Sequence, residues 1–156
     1  MPYLHLRLSA HPLPDDAARI ASVLTDLTAE VLGKKRELTA VSIETIAPQR
    51  WIIGGAPLAG RPVRSFFLDV RVSAGTNSKH EMAEFVARAH AALETLLGPL
   101  ALASYVAIHE QAADAWGYQG LTQESRAGAA TALSGTARWP APAAATSFDA
   151  PLAHFN

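Results

Sequence analysis

The sequence contains no cysteine. Disulfides, thiolate metal sites and cysteine nucleophiles are excluded, and the composition suits a reducing compartment. Charge is also scarce: charged residues make up 17% of the chain and the formal net charge is -1. That balance gives no broad electrostatic reason to expect nucleic acid or an anionic membrane as partner. Long hydrophobic runs are missing too. No stretch approaches the roughly 20 apolar residues that span a bilayer, and no basic segment followed by an apolar run marks a signal peptide. A soluble, cytoplasmic protein is the expectation. The six histidines (His5, His11, His80, His90, His109 and His154) lack metal-ligand spacing such as an i, i+4 pair with a carboxylate. No metal or cofactor is therefore expected. There is no G-x-S-x-G nucleophile motif, and the Gly54-Gly55 pair lacks the spacing and lysine of a phosphate loop.

What is present is an alternation of strand and helix patterns. In residues 1–10, Leu4, Leu6 and Leu8 alternate with His5 and Arg7, the period of a half-buried strand. Pro2 cannot donate to a sheet ladder and suits only the strand start. His11-Pro12-Leu13-Pro14-Asp15-Asp16 reads as a turn, with aspartates favouring a helix start. Over residues 17–32, Ile20, Val23, Leu24, Leu27, Val31 and Leu32 recur at helical spacing, and Gly33 is placed to end the helix. Lys34-Lys35-Arg36 reads as a solvated loop beside a helix C-terminus. Residues 38–46 are rich in β-branched side chains and read as a second strand. Gly54-Gly55 after Trp51-Ile52-Ile53 marks a turn or short hairpin. Residues 56–64 read as a linker.

The pattern then starts again. Residues 65–73 read as a strand with Phe66, Leu68, Val70 and Val72 on one face. Residues 79–97 read as a helix with Met82, Phe85, Val86, Ala89, Leu93, Leu96 and Leu97 on its apolar side, ended by Gly98-Pro99. Residues 103–108 read as a strand. Leu6-Arg7-Leu8-Ser9-Ala10 matches Val70-Arg71-Val72-Ser73-Ala74 at an offset of 64. Ile43-Glu44 and Trp51 match Ile108-His109 and Trp116 at an offset of 65. A duplicated β-α-β unit follows. The expected fold class is α+β: two tandem β-α-β units forming a four-stranded sheet with two helices on one face. The domain spans 1–126, with repeats at 2–58 and 65–122. The other sheet face still needs cover. On it, Arg7 is expected to oppose Asp69, and His5 to oppose Arg71, across antiparallel lead strands. Residues 127–156 are rich in Ala, Pro, Ser and Thr, with isolated Trp139, Phe148 and Phe155. They read as a flexible or extended tail, or one that wraps a neighbouring subunit.

The opening strand carries the candidate chemistry. If Met1 is removed, which a small second residue permits, Pro2 presents a secondary amine. That amine could act as a base or a nucleophile. Burial and nearby positive charge both disfavour the ammonium form and lower an amine's pKa. Pro2 directly after Met1, the Leu-rich strand, the helix, and Ile43-Glu44 leading to Trp51-Ile52-Ile53-Gly54-Gly55 together resemble the tautomerase superfamily, of which 4-oxalocrotonate tautomerase is the founding type. The resemblance covers residues 2 to about 120. It implies a MIF-like fold, a homotrimer, a catalytic N-terminal proline working without cofactor, and an aromatic pocket wall at Trp51.

The sequence also departs from that pattern. The short enzymes' arginines fall at His11-Pro12 and at Ser42, and the duplicated members' arginine at Gly75-Thr76-Asn77. The tyrosine and glutamate of the dehalogenase branch fall at Ala107 and Tyr118. Replacement carboxylate donors are Arg50, Arg61, Arg64 and Arg71, with Arg50 first because it adjoins Trp51. The expected site is catalytic Pro2 with substrate-binding Trp51, Arg50 and Arg71. The expected function is cofactor-independent keto–enol tautomerisation of a small enol or 2-oxo acid. The alternatives are a proline-dependent hydratase, dehalogenase or decarboxylase of the same superfamily, or a non-catalytic trimeric ligand-binding or scaffold protein. Phe66 stands where Pro2 would recur, so only the first strand is expected to carry a catalytic proline.

Overall fold

Alternation along the first strand becomes burial. The structure, a computed structural model, describes residues 1–9 and 14–134. In β1 (Tyr3–Leu8), Leu4, Leu6 and Leu8 are buried, while Tyr3, His5 and Arg7 are half-buried. The expected turn at His11, Pro12 and Leu13 lies outside the described residues. The helix α1 (Pro14–Leu32) opens on Pro14, where a missing N–H costs nothing. Ile20, Leu24, Leu27, Val31 and Leu32 form its buried stripe. Gly33 follows with φ 62, the left-handed conformation that ends helices.

The chain then returns to the start of β1. β2 (Ala40–Thr45) pairs parallel with it, Tyr3 facing Ala40 and Leu8 facing Thr45. A hairpin follows, made of β3 (Ile52–Ile53) and β4 (Ala56–Pro57). Its turn residues Gly54 and Gly55 have φ 60 and 78, as two-residue hairpin turns require. The second unit repeats the sequence of elements: β5 (Phe66–Ser73), α2 (Lys79–Leu97), β6 (Tyr105–Gln111), then a hairpin of β7 (Gly117–Tyr118) and β8 (Leu121–Thr122). Gln119 and Gly120 close it with φ 50 and 73. The duplication therefore extends through the hairpins.

The sheet order is β2-β1-β5-β6, with β1 and β5 antiparallel at the centre. His5 faces Asp69 across that seam. These two positions are equivalent in the repeats, so a local twofold axis passes through the pair. One sheet face carries Leu4, Leu6, Leu8, Phe66, Leu68, Val70 and Val72 against Leu24 of α1 and Phe85, Ala89 and Leu93 of α2. Each such large apolar side chain contributes about 1.5–3 kcal/mol on full burial. Val86, read as part of the apolar side of α2, is instead 37% exposed. The stripe through Phe85, Ala89, Leu93 and Leu97 already fills the contact. No described helix is long and apolar enough to cross a membrane.

The uncovered face differs from expectation in register. Arg7 faces Phe67, not Asp69, and its guanidinium lies 5.1 Å from that ring's centroid. Arg71 faces Tyr3, not His5. Histidine–carboxylate contacts run along each half instead: His5 Nε2 lies 3.4 Å from Glu44, and His109 Nε2 lies 3.2 Å from Asp69. The twofold relates these contacts with acid and base exchanged.

Past β8, α3 (Gln123–Ser134) continues into the segment read as flexible or extended. Thr122 caps it: its Oγ1 accepts from the Ser125 amide at 3.1 Å. The alanines that made this stretch look low in complexity are strong helix formers. Residues 135–156, with Trp139, Phe148 and Phe155, lie outside the described residues.

Candidate active site

A β-α-β crossover brings the chain back to the end of the sheet where it began. The residues after Gly33 therefore lie over the start of β1, and the Ala40 amide donates to the Pro2 carbonyl at 3.3 Å. Pro2 is buried there. It borders a cavity of about 210 Å³ lined also by Lys34, Lys35, Leu38, Tyr118 and Gln123, with Met1 at its edge. At about 30 Å³ per liquid water, the space suits a small organic acid.

The antiparallel seam supplies the other wall. β6 ends beyond the Arg71–His109 pair, level with the start of β1. The hairpin that follows is therefore carried to Pro2. Trp116 Nε1 donates to the Met1 carbonyl at 2.9 Å, and Tyr118 lines the cavity. Arg126 of α3 braces Tyr118: its guanidinium lies 3.8 Å from the ring centroid, and its NH2 donates to the Tyr118 carbonyl at 2.8 Å. The Gln123 amide donates to the Trp116 carbonyl at 2.8 Å.

Lys34 provides the cavity's placed charge. Its Nζ donates to Thr76 Oγ1 at 2.7 Å, and Thr76 donates in turn to the Ser73 carbonyl at 2.6 Å. Burial holds the Lys34 ammonium below its usual range, against the opposing pull of Glu81. The terminal amine is pushed below its usual range first by burial and second by the charge of Lys34. Glu81 is kept anionic by the Ser78 amide and hydroxyl in a capping box. No cluster among the described residues is arranged to hold a metal ion.

No family model and no curated protein matches the sequence. Solved structures do match the fold. A fused 4-OT, wild type in a symmetric trimer, superposes with a TM-score of 0.70 at 16% identity, over 80% of this chain and 98% of its own. A macrophage migration inhibitory factor-like protein from Entamoeba histolytica superposes with a TM-score of 0.64 at 25% identity, over 78% of this chain and 97% of its own. A third protein, inactivated by 2-oxo-3-pentynoate, superposes with a TM-score of 0.71 at 10% identity, over 80% of this chain and 98% of its own. The chain has the duplicated tautomerase-superfamily fold.

The tautomerase fold sorts the expected site residues by end of the sheet. Arg50 and Trp51 follow the end of β2 that pairs with Leu8. That end is about 20 Å from Pro2 at the rise of a strand. Arg61 and Arg64 border a separate cavity with Leu97 and Pro99, and Arg64 donates to the Leu97 carbonyl at 3.0 Å. Arg71 alone of the four arginines lies at the Pro2 end, facing Tyr3, with Nε 4.0 Å from Asp69. Within one chain, then, Pro2 is joined by Lys34, Lys35, Trp116, Tyr118 and Gln123, which the sequence reading did not select. Two signals for them were present: the crossover's return after Gly33, and the second repeat's own Trp-turn-Gly ending.

The second copy of the tautomerase unit lacks these features. Fully buried Phe66 fills the position of Pro2, and Pro99 and Leu100 stand where Lys34 and Lys35 would recur.

Proposed function

We propose that the protein is a cofactor-independent tautomerase that uses the amine of Pro2, freed by removal of Met1, on a small enol or 2-oxo acid. The observation that carries this reading is the placement of buried Pro2 on a cavity with Lys34 and Lys35. The lowered pKa of the terminal amine supports it. A Pro2 amine exposed by loss of Met1 would lie beside the same Lys34 on the same cavity. The free base would take the proton from the enol oxygen, breaking O–H, and the resulting N–H would deliver it to carbon, forming C–H. Lys34 and Lys35 would hold the substrate carboxylate in place of the absent arginines. The described lining of the cavity includes no carboxylate. Water activation by an acidic side chain, as in hydration or hydrolytic dehalogenation, has no support there.

The assembly we propose is a homotrimer, as in the fused 4-OT of similar fold. Arg50 and Trp51 would reach a Pro2 site only from a neighbouring copy.

The test begins with intact-mass spectrometry, which should show Met1 absent. Phenylenolpyruvate ketonisation should then be measurable in wild type and lost at least a hundredfold in Pro2→Ala, in line with general acid–base contributions of about 10²–10⁴. The ynone 2-oxo-3-pentynoate should add one equivalent to the Pro2 nitrogen by conjugate addition. A retained Met1, which makes that nitrogen a non-basic amide, would sink the proposal. So would equal turnover by Pro2→Ala. A Met1-free sample inert on a panel of enols would leave the non-catalytic ligand-binding reading.

A further inference from the structure

We propose that Trp116 Nε1 and Gln123 Nε2 form a donor pair for the carbonyl or enolate oxygen of the substrate, a pocket for developing negative charge beside Pro2. The inference rests on the proline reading above.

The first donor is visible through what occupies it. Trp116 Nε1 gives its hydrogen bond to the Met1 carbonyl, 2.9 Å away. That carbonyl sits on the carbon bonded to the Pro2 nitrogen. It stands in for an oxygen held next to the catalytic amine. Cleavage of the Met1–Pro2 bond removes this acceptor and leaves the half-buried indole N–H aimed at the vacated space. A substrate carbonyl seated there sets its α-carbon against the Pro2 nitrogen, as proton transfer to that carbon requires.

The second donor is already unsatisfied. Gln123 lines the same cavity, and its Nε2 is buried with no hydrogen-bond partner among the described residues. A buried donor without a partner calls for an explanation, and this one borders the cavity at Pro2. The two residues are held as a unit, because the Gln123 amide donates to the Trp116 carbonyl. The Glu124 amide bonds to the Ala113 carbonyl at 3.0 Å and fixes the start of α3 to the same loop. Pre-positioned neutral donors stabilise charge that develops on oxygen. Lys34 and Lys35 are left for the carboxylate. The pair therefore selects 2-oxo acids and their enols, in which a carboxylate and an oxygen-bearing carbon are adjacent.

Two measurements decide it. In Trp116→Phe and in Gln123→Leu, kcat/KM for phenylenolpyruvate should fall about 10²-fold, chiefly in kcat, as loss of one such donor does elsewhere. The acid limb of the pH profile should stay in place, because the Pro2 amine keeps its surroundings. Losses under threefold in both, with Pro2→Ala inactive, would overturn the donor pair and leave the proline reading standing. Turnover surviving in Pro2→Ala would instead remove the proline reading. The second measurement needs no folded variant other than for assignment. Oxalate, which resembles the enolate of a 2-oxo acid, is titrated into Met1-free wild type labelled with 15N. The indole N–H resonance that is missing from Trp116→Phe should shift downfield. A titration that leaves that resonance in place would overturn the proposal, whatever the kinetics show.

Discussion

In the proposed mechanism, Lys34 is the residue that sets the electrostatics at Pro2. It is near enough to lower the pKa of the terminal amine, and Thr76 holds its ammonium in place. The turn that holds it is the one in which an arginine is absent. A hydrogen bond to a charged group contributes about 1.5–3 kcal/mol, so Lys34→Ala should raise KM for a 2-oxo acid about ten- to a hundredfold. The pH profile gives a separate sign. If Pro2 acts as the free base, as proposed, kcat/KM is lost as pH falls through the amine pKa. In wild type that acid limb reports the pKa of the Pro2 amine. Removing the Lys34 charge relieves repulsion of the ammonium, so the limb should move to higher pH. Lys34→Arg keeps the charge and should leave the limb where it is. A limb that does not move in Lys34→Ala would show that burial alone sets the amine. The lysines escaped the sequence reading because a basic cluster after a helix usually faces solvent. Only the crossover geometry shows that this one must pass over the strand start.

The β7–β8 hairpin delivers Trp116 and Tyr118, and its packing explains a difference between the repeats. Gly117 occupies the position of Ile52 in the first hairpin. A Cβ on Gly117 would collide with the Leu121 carbonyl, whereas Ile52 is 53% exposed. The first hairpin thus projects side chains outward, and the second closes tightly on itself beside Pro2. Gly117→Ala should destabilise by about 1–3 kcal/mol, the usual cost of overpacking, read from denaturant unfolding. It should also lower turnover, because Tyr118 and Trp116 move with the strand. Unchanged turnover in Gly117→Ala would mean that something other than this hairpin holds the wall. The hairpins were legible as Gly-rich endings, and α1 and α2 from their apolar spacing. What was not legible was which strand start each hairpin serves. That depends on the antiparallel seam between β1 and β5, a long-range pairing that no local pattern encodes. The cross-strand charge pairs were misplaced for want of that information, and the nearness of Trp116 to Pro2 was not legible for the same reason.

Duplication fixes the shape of the whole molecule and also leaves it incomplete. The local twofold through His5 and Asp69 generates two equivalent ends, yet one carries Pro2, Lys34 and Lys35 where the other carries Phe66, Pro99 and Leu100. Phe66 has converted the other into core. Specialising one end leaves the outer surfaces unchanged. β2 and β6 remain edge strands with unpaired backbone groups, and natural proteins cover such edges. Apolar side chains remain exposed at these margins: Ile52 at 53%, Tyr105 on β6 at 57% and Leu121 at 52%. Among the described residues no helix layer covers the second sheet face, and a sheet face of this kind needs a second layer. The proposed trimer would supply that layer from neighbouring copies. Wild type should therefore sediment at three times 16.5 kDa. Tyr105→Asp places a charge on the exposed edge strand and should shift the population towards single chains, with no change in the core that packs α1 and α2 on the sheet. Wild type sedimenting as a single chain at micromolar concentration would refute the assembly. It would also remove the route by which Arg50 and Trp51 could reach Pro2, and leave Lys34 and Lys35 as the cationic side chains of its described lining.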